Sequence, residues 1–140
     1  MRLSIRNQLE GTIESVTRGA VMGTVRVRLT GGEDMTSAIT LDAVDELKLA
    51  EGQQVKALVK STDVAVATNG VPGLSIRNQI PGTVARVDNG AVMTTVTVNI
   101  GAGQSVVSAI TKDGADDLKL TAGDAVTMLV KSTEVSLAVD

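Results

Sequence analysis

The feature that most constrains the fold of this chain is an internal duplication. When the sequence is slid along itself until Ser4 falls on Ser75, the two halves align without a gap, and about half of the aligned positions are identical. Two copies are too few for a stacked repeat array, which needs at least about three. The sequence therefore predicts two small domains of one kind, a first repeat at residues 1–69 and a second repeat at residues 74–140, with a Gly- and Pro-containing linker at residues 70–73.

Neither repeat can fold around large side chains. The 140 residues include no Phe, Tyr, Trp or Cys, so Val, Leu, Ile, Ala and Met must form the core. A unit of about 70 residues without aromatic side chains or disulfides is only marginally stable by itself. We therefore expect the repeats to share buried surface with each other and with further subunits.

Apolar and polar residues alternate within each repeat, as in half-buried strands. The segment "AVMGTVRVRL" places Val21, Val25, Val27 and Leu29 on one face. The period becomes helical in "TLDAVDELKL", where Thr40 is the expected N-cap. Five or six short strands with one short helix per repeat predict an all-β protein made of two tandem OB-like barrels.

The hexapeptide "LSIRNQ" occurs unchanged at residues 3–8 and 74–79. If it forms a strand, Ser4, Arg6 and Gln8 share one face, because successive side chains point to opposite faces. A serine and an arginine side by side favour the binding of a negative group.

Three clusters of hydrogen-bond donors recur in both repeats, although about half of the positions around them differ. They are Ser4 with Arg6, Ser37 with Thr40, and Lys60 with Ser61, matched by Ser75 with Arg77, Ser108 with Thr111, and Lys131 with Ser132. Hydroxyl, guanidinium and ammonium donors suit a tetrahedral oxyanion. Each residue taken singly is explained better as surface or turn, but the recurrence of all three clusters favours binding.

Most catalytic chemistry is excluded by composition. The chain has no His and no Cys, which removes serine–histidine triads, cysteine nucleophiles and zinc sites. The segment "GAGQS" at residues 101–105 lies where a hairpin is expected, not between a strand and a helix, so it is not a phosphate-binding loop. Paired carboxylates such as Asp116 and Asp117 are explained better as solvated surface. We predict a protein that is not an enzyme, has no cofactor and binds no metal cation directly.

The charge and hydropathy of the chain exclude two kinds of partner from what we expect. The formal net charge is −3, and the chain lacks the aromatic side chains and basic groove with which OB-type barrels hold single strands, so nucleic acid is not expected. No leader opens the chain and no apolar run approaches membrane-spanning length. The expectation is a soluble cytoplasmic protein without a membrane partner.

The motifs together resemble a known family. In both repeats "SIRNQ", "GT", "GAV", "SAIT" and "VKS" follow one another, an order similar to that of the Mop domain of the molbindins, which are small cytoplasmic molybdate-binding proteins. The likeness covers nearly the whole chain, and two tandem copies resemble the di-Mop molbindins. It implies OB-like barrels, a homotrimer of two-domain chains, and sites for molybdate or tungstate at domain and subunit boundaries.

Carried over residue by residue, the resemblance implies two main oxyanion sites with some ligands from a neighbouring domain or subunit. The sets are Ser4, Ile5 (backbone), Arg6, Ser37, Lys60 and Ser61, and Ser75, Ile76 (backbone), Arg77, Ser108, Lys131 and Ser132. A second type of site in the family lies around the Gly-Ala-Val segment, here Gly19, Ala20 and Val21, and Gly90, Ala91 and Val92. Many relatives continue with Asn where this chain has Met22 and Met93, so such a site would depend on backbone donors.

The chain starts directly at its first repeat, whereas molybdate-responsive regulators carry a helix-turn-helix segment before their Mop copies. We therefore expect it to buffer and store the oxyanion. The alternative is a trimeric adaptor whose polar clusters stabilise the assembly or bind an acidic partner. The sequence leaves open the choice between molybdate and tungstate, the number of ions, and whether the two repeats exchange strands.

Overall fold

The computed structural model describes residues 2–140, which form ten β-strands and two short α-helices. The first repeat contains β1 (Asn7–Arg18), β2 (Met22–Leu29), β3 (Asp34–Thr40), α1 (Leu41–Glu46), β4 (Gln54–Val59) and β5 (Ala65–Ala67). The second repeat contains β6 (Asn78–Asn89), β7 (Met93–Gly101), β8 (Gln104–Thr111), α2 (Lys112–Leu118), β9 (Ala125–Val130) and β10 (Ser136–Ala138). The predicted all-β fold is confirmed. Neither helix in this part of the chain is long and apolar enough to cross a membrane.

The two sheets are not built from one repeat each. Their strand orders are β10-β4-β1-β2-β3 and β5-β9-β6-β7-β8, and the strands pair antiparallel throughout. The last strand of each repeat therefore completes the sheet of the other: Ser136 lies opposite Leu58, and Ala65 lies opposite Leu129. We name residues 61–67 the first arm and residues 132–138 the second arm. Their exchange answers a question that the sequence left open.

Each arm begins with a single 3-10 turn, at Ser61–Asp63 and at Ser132–Glu134. Directly after these turns lie Val64 and Val135, which are both 2% exposed and belong to one hydrophobic cluster that includes core residues of both repeats. Val25 and Val96, on the central strands, are 0% exposed in the same cluster. The purely aliphatic repeats thus share one core, as their composition led us to expect.

The first helix begins at the predicted N-cap, Thr40, and the second helix begins at the matching residue, Thr111. The Thr40 Oγ1 accepts from the Ala43 N–H at 3.2 Å, and the Thr111 Oγ1 accepts from the Gly114 N–H at 3.1 Å. Both threonines are therefore N-caps, which satisfy an amide at the start of each helix. The two threonines of the donor clusters therefore stabilise the helix starts.

Each hexapeptide is tied to the opposite repeat by its asparagine. The Asn78 side chain accepts from the Thr36 N–H at 2.7 Å and donates to the Thr36 carbonyl at 2.8 Å. Asn7 makes the same pair of bonds with Val107. Asn7 and Asn78 are only 1% and 2% exposed, so each side-chain amide takes the place of a neighbouring strand on the outermost strand of the other repeat.

We predict that Asn78→Ala lowers the free energy of unfolding by about 2 kcal/mol or more, because it leaves both backbone groups of Thr36 without a partner. Asn99→Ala, which removes an exposed asparagine on β7, is the matched control. Urea denaturation of both variants measures the difference. Equal stability of the two variants would contradict the role given to Asn78.

Candidate oxyanion-binding site

Five of the six main-site candidates of the first repeat surround one pocket. Ser4, Ile5, Arg6, Lys60 and Ser61 line it together with Thr62, and its volume is about 240 Å³. The register explains the meeting: Asn7 of β1 lies opposite Val59 of β4, so the residues just before Asn7 lie beside those just after Val59. We name this cavity the first pocket.

The first four residues of the hexapeptide, Leu3 to Arg6, precede β1 and form an irregular bend, which we name the hexapeptide turn. The expectation that Ser4, Arg6 and Gln8 share a strand face is wrong. The side chains instead bind the carbonyls of the turn: Arg6 Nε donates to Ser4 O and Nη2 to Leu3 O, both at 3.1 Å, and Gln8 Nε2 donates to Ile5 O at 3.1 Å. In the second repeat the same bonds join Arg77 to Ser75 and Leu74, and Gln79 to Ile76.

The backbone donors of this turn differ from its side-chain donors in having no acceptor in the described part of the chain. Within residues 2–140, the backbone N–H groups of Ser4, Ile5 and Arg6 donate to no other group. Arg6 uses only Nε and one Nη2 proton on the turn carbonyls, so the rest of its guanidinium is available to a ligand. A segment with its carbonyls satisfied and its N–H groups free is suited to an anion, which only accepts hydrogen bonds.

The Ser61 hydroxyl is buried and has no hydrogen-bond partner, and the same is true of the Ser132 hydroxyl. Burying a hydroxyl without a partner costs roughly 1–3 kcal/mol, so such groups are rare in folded proteins and call for an explanation. A ligand that accepts a hydrogen bond from each serine explains why both repeats contain one at the same position.

Among the described residues, the cations of the candidate sites form no salt bridge, unlike several other arginines of the protein. Arg18 pairs with Asp45 at 2.8 Å and Arg28 with Asp34 at 2.9 Å. Their hydrogen bonds and positive charge hold the pKa of each carboxyl below its ordinary value. In the part of the chain that the structure describes, no carboxylate pairs with Arg6, Lys60, Arg77 or Lys131. Asp63 and Glu134 nevertheless lie in the wall of the same groove as Lys131.

The second repeat has the same strand register, but only two of its six main-site candidates line a pocket. Asn78 lies opposite Val130, which brings the turn that contains Ser75 and Arg77 beside Lys131 and Ser132. Ile76 and Lys131 line a groove of about 480 Å³, which we name the second pocket. Residues 62–65 of the first arm form part of its wall, so both repeats border it.

Ser37 and Ser108 line neither pocket. Both are 0% exposed. The Ser37 hydroxyl donates to the Val135 carbonyl at 2.6 Å, and the Ser108 hydroxyl donates to the Val64 carbonyl. The structure thus places these two candidates against the arm of the opposite repeat, with their hydroxyl protons already donated.

Residues 19–21 and 90–92, the candidates for a second type of site, form the tips between β1 and β2 and between β6 and β7. The Gly19 N–H is used within its tip, since it donates to the Met22 carbonyl at 2.8 Å. Both tips expose large apolar side chains: Val21 72%, Met22 43%, Val92 75% and Met93 42%. Met93 also lines the second pocket. Oxyanion binding at the tips stays a prediction.

Comparison with known proteins identifies the family. The family model described as the TOBE domain matches residues 3–66 and 74–137. The chain belongs to the TOBE-domain family. Its two TOBE domains are Mop-type domains in tandem, so the resemblance seen in the sequence is confirmed.

The relatives are proteins named for molybdenum or molybdate. Molybdenum-pterin-binding protein MopB of Rhodobacter capsulatus is 40% identical over 139 residues, 99% of this chain and 52% of that protein. Molybdenum-pterin-binding protein 2 of Clostridium pasteurianum is 44% identical over 66 residues, 47% of this chain and 97% of that protein. The chain spans about half the length of the longer curated relatives it matches.

A solved structure of the cytoplasmic molybdate-binding protein ModG, obtained with molybdate bound, matches with a TM-score of 0.96 and 34% sequence identity, covering 100% of both chains. The predicted tandem of OB-like domains is therefore confirmed.

Sequence reasoning missed residues that shape the sites of the TOBE domains. Thr62 lines the first pocket, and Asn7 and Asn78 anchor the two hexapeptide turns. The identity of the asparagines in both repeats was a signal. It did not distinguish a ligand from a tertiary contact, because an amide side chain serves both purposes equally well.

We predict that Ser61→Ala together with Ser132→Ala leaves the free energy of unfolding of the ligand-free protein unchanged or raises it by up to about 2 kcal/mol, because unpartnered buried hydroxyls are removed. Ser108→Ala, which breaks a buried hydrogen bond, is the comparison and should be destabilising. Urea denaturation measures both. A destabilisation of the double variant as large as that of Ser108→Ala would show that Ser61 and Ser132 have partners in the fold.

Proposed function

We propose that this chain binds molybdate, and the similar oxyanion tungstate, in one pocket of each TOBE domain. The observation that carries the proposal is the buried, unpartnered hydroxyl of Ser61 and of Ser132, each preceded by a lysine that forms no salt bridge within residues 2–140. The names of the relatives support it, since MopB is a molybdenum-pterin-binding protein and ModG a molybdate-binding protein.

The proposed mechanism is the capture of a dianion by hydrogen-bond donors alone. In the first pocket the donors are the Ser4 and Ser61 hydroxyls, the Ile5 N–H, Arg6 and Lys60. The Ile5 N–H, Arg6 and Lys60 can only donate, and the two hydroxyls are the sole acceptors in this set, so a fully deprotonated oxyanion uses more of the donors than a protonated phosphate does. Discrimination against the smaller sulfate depends on spacing, which turn donors hold more constantly than flexible side chains.

We further propose that binding is reversible and involves no catalysis, so that the protein buffers and stores the oxyanion in the cytoplasm. The first pocket is lined by Ser, Ile, Arg, Lys and Thr, which include neither a carboxylate nor an imidazole to act as a general base. Asp63 and Glu134 lie in the wall of the second pocket, and the proposal gives them no catalytic role. The net charge of −3 argues against nucleic acid as a partner.

The proposed assembly is a homotrimer whose subunits meet at the tips. Val21 and Val92 are 72% and 75% exposed on identical tips, and exposed apolar side chains that recur in this way are typical of contact surfaces. A trimeric adaptor, the alternative function, would use the same tips, so the two functions differ in the oxyanion bound and not in the assembly.

The binding proposal predicts saturable heat when molybdate is titrated into the protein in a calorimeter, with one ion for each TOBE domain and little change in excess sulfate or phosphate. Arg6→Ala with Arg77→Ala should weaken affinity by about tenfold or more, since each loses a charged hydrogen bond. Arg18→Ala with Arg86→Ala, which removes two exposed arginines, is the control.

Unchanged affinity in the Arg6 and Arg77 double variant would overturn the assignment of the pockets. No heat with the unaltered protein, or heat abolished by sulfate, would favour the adaptor.

The assembly proposal predicts that Val21→Asp with Val92→Asp lowers the mass measured by light scattering from that of a trimer to that of smaller species, because a carboxylate at each tip opposes burial. Ala50→Asp with Ala122→Asp adds the same charge in exposed loops and should leave the mass unchanged. A trimer that persists in the tip variant would place the subunit contacts elsewhere.

A further inference from the structure

Ser61 lies at the point where the chain leaves its own repeat. Lys60 and Ser61 follow β4 of one sheet, and by Ala65 the first arm is paired with Leu129 in the other sheet. Between them is one 3-10 turn, Ser61–Asp63, which has no side-chain hydrogen bond at its N-cap. A single uncapped turn does not hold a hydroxyl in place by itself.

The opposite repeat supplies an anchor directly after this turn. The Ser108 hydroxyl donates to the Val64 carbonyl, and the Val64 N–H reaches the Ser61 carbonyl at 3.4 Å. Val64 therefore links Ser108 on one side to Ser61 on the other. Ser108 and Val64 are 0% and 2% exposed, so water cannot replace this contact.

The second arm repeats the arrangement. The Ser37 hydroxyl donates to the Val135 carbonyl at 2.6 Å, and the Val135 N–H reaches the Ser132 carbonyl at 3.4 Å. In each case a serine of one repeat holds the arm whose first residue is the buried, unpartnered serine of the other.

We propose that Ser108 is a positioning residue for the first pocket and Ser37 for the second, an inference that rests on the oxyanion-binding function proposed above. Each serine acts across the chain, through the arm, and does not touch the oxyanion. A direct ligand role would require the hydroxyl to give up its only donated bond and to leave a buried carbonyl unpaired, which is costly.

Proteins with a single working pocket test this assignment. Arg77→Ala with Ser132→Ala disables the second pocket, and Arg6→Ala with Ser61→Ala disables the first. Ser108→Ala is then added to each protein, and molybdate is titrated calorimetrically. Affinity should fall about tenfold or more where only the first pocket works, a size typical of losing a partner that orients a ligand. It should fall clearly less where only the second works, because Val64 is only part of the wall of that pocket.

Stability is measured on the same proteins, and Ser108→Ala should lower it equally in both. Ser37→Ala should give the opposite pattern of affinities. Ser108→Cys keeps a weak donor, so it should restore part of the affinity, and it replaces Ser108→Ala if that variant does not fold.

Equal losses of affinity in both single-pocket proteins would make Ser108 a general structural residue. A loss of affinity confined to the second pocket would make Ser108 a ligand within its own repeat. Either of these results would overturn the inference. If neither single-pocket protein binds molybdate while Ser108 is intact, the proposed function itself fails and the positioning role fails with it.

Discussion

The structure depends on the exchange of the two arms. Each repeat has only aliphatic side chains for its core, and each sheet gains its fifth strand from the other repeat. Val64 and Val135 enter the shared core directly after the arm turns, so neither sheet is complete without the other repeat. The same crossing places Ser61 at the first pocket and Ser132 at the start of the second arm, directly after Lys131. One short segment of each repeat therefore contributes both to the fold and to the proposed oxyanion sites.

The hexapeptide turn shows how a short polar sequence leaves backbone donors free for the oxyanion proposed above. Its carbonyls are bound by its own Arg6 and Gln8 side chains, while its amide groups have no protein acceptor in the part of the chain described. Asn7 meanwhile fixes the turn to the opposite repeat. Asn7 thus anchors the turn, and Arg6 and Gln8 bind its carbonyl oxygens. The backbone N–H groups of the turn stay available as donors. This division explains why the motif is identical in both repeats.

The surfaces that differ between the repeats support this interpretation. On the first sheet Arg28 forms ion pairs with Glu14 and Asp34. At the corresponding positions the second repeat has Asn99, Ala85 and Ser105. Exposed ion pairs contribute little to stability, roughly 0–1 kcal/mol each, so this face can change without loss of the fold. Identity is kept instead at the turns and the arms, where side chains contact the other repeat or the pockets.

The sequence by itself determined the duplication, the all-β class and the N-cap at Thr40, and it indicated the chemistry of the proposed ligand. The duplication is read directly from the repeated sequence. The strand pattern and the cap follow from local rules, because alternation and capping depend on residues a few positions apart. The recurring donor side chains favour an anion as the proposed ligand. The sequence did not determine which sheet the last strand of each repeat joins, because the repeats are so alike that a strand can pair equally well with either. The sequence also did not distinguish the role of Ser61 from that of Ser37. Both are serines in repeated motifs, and only tertiary packing leaves one hydroxyl buried without a partner and engages the other with a distant carbonyl.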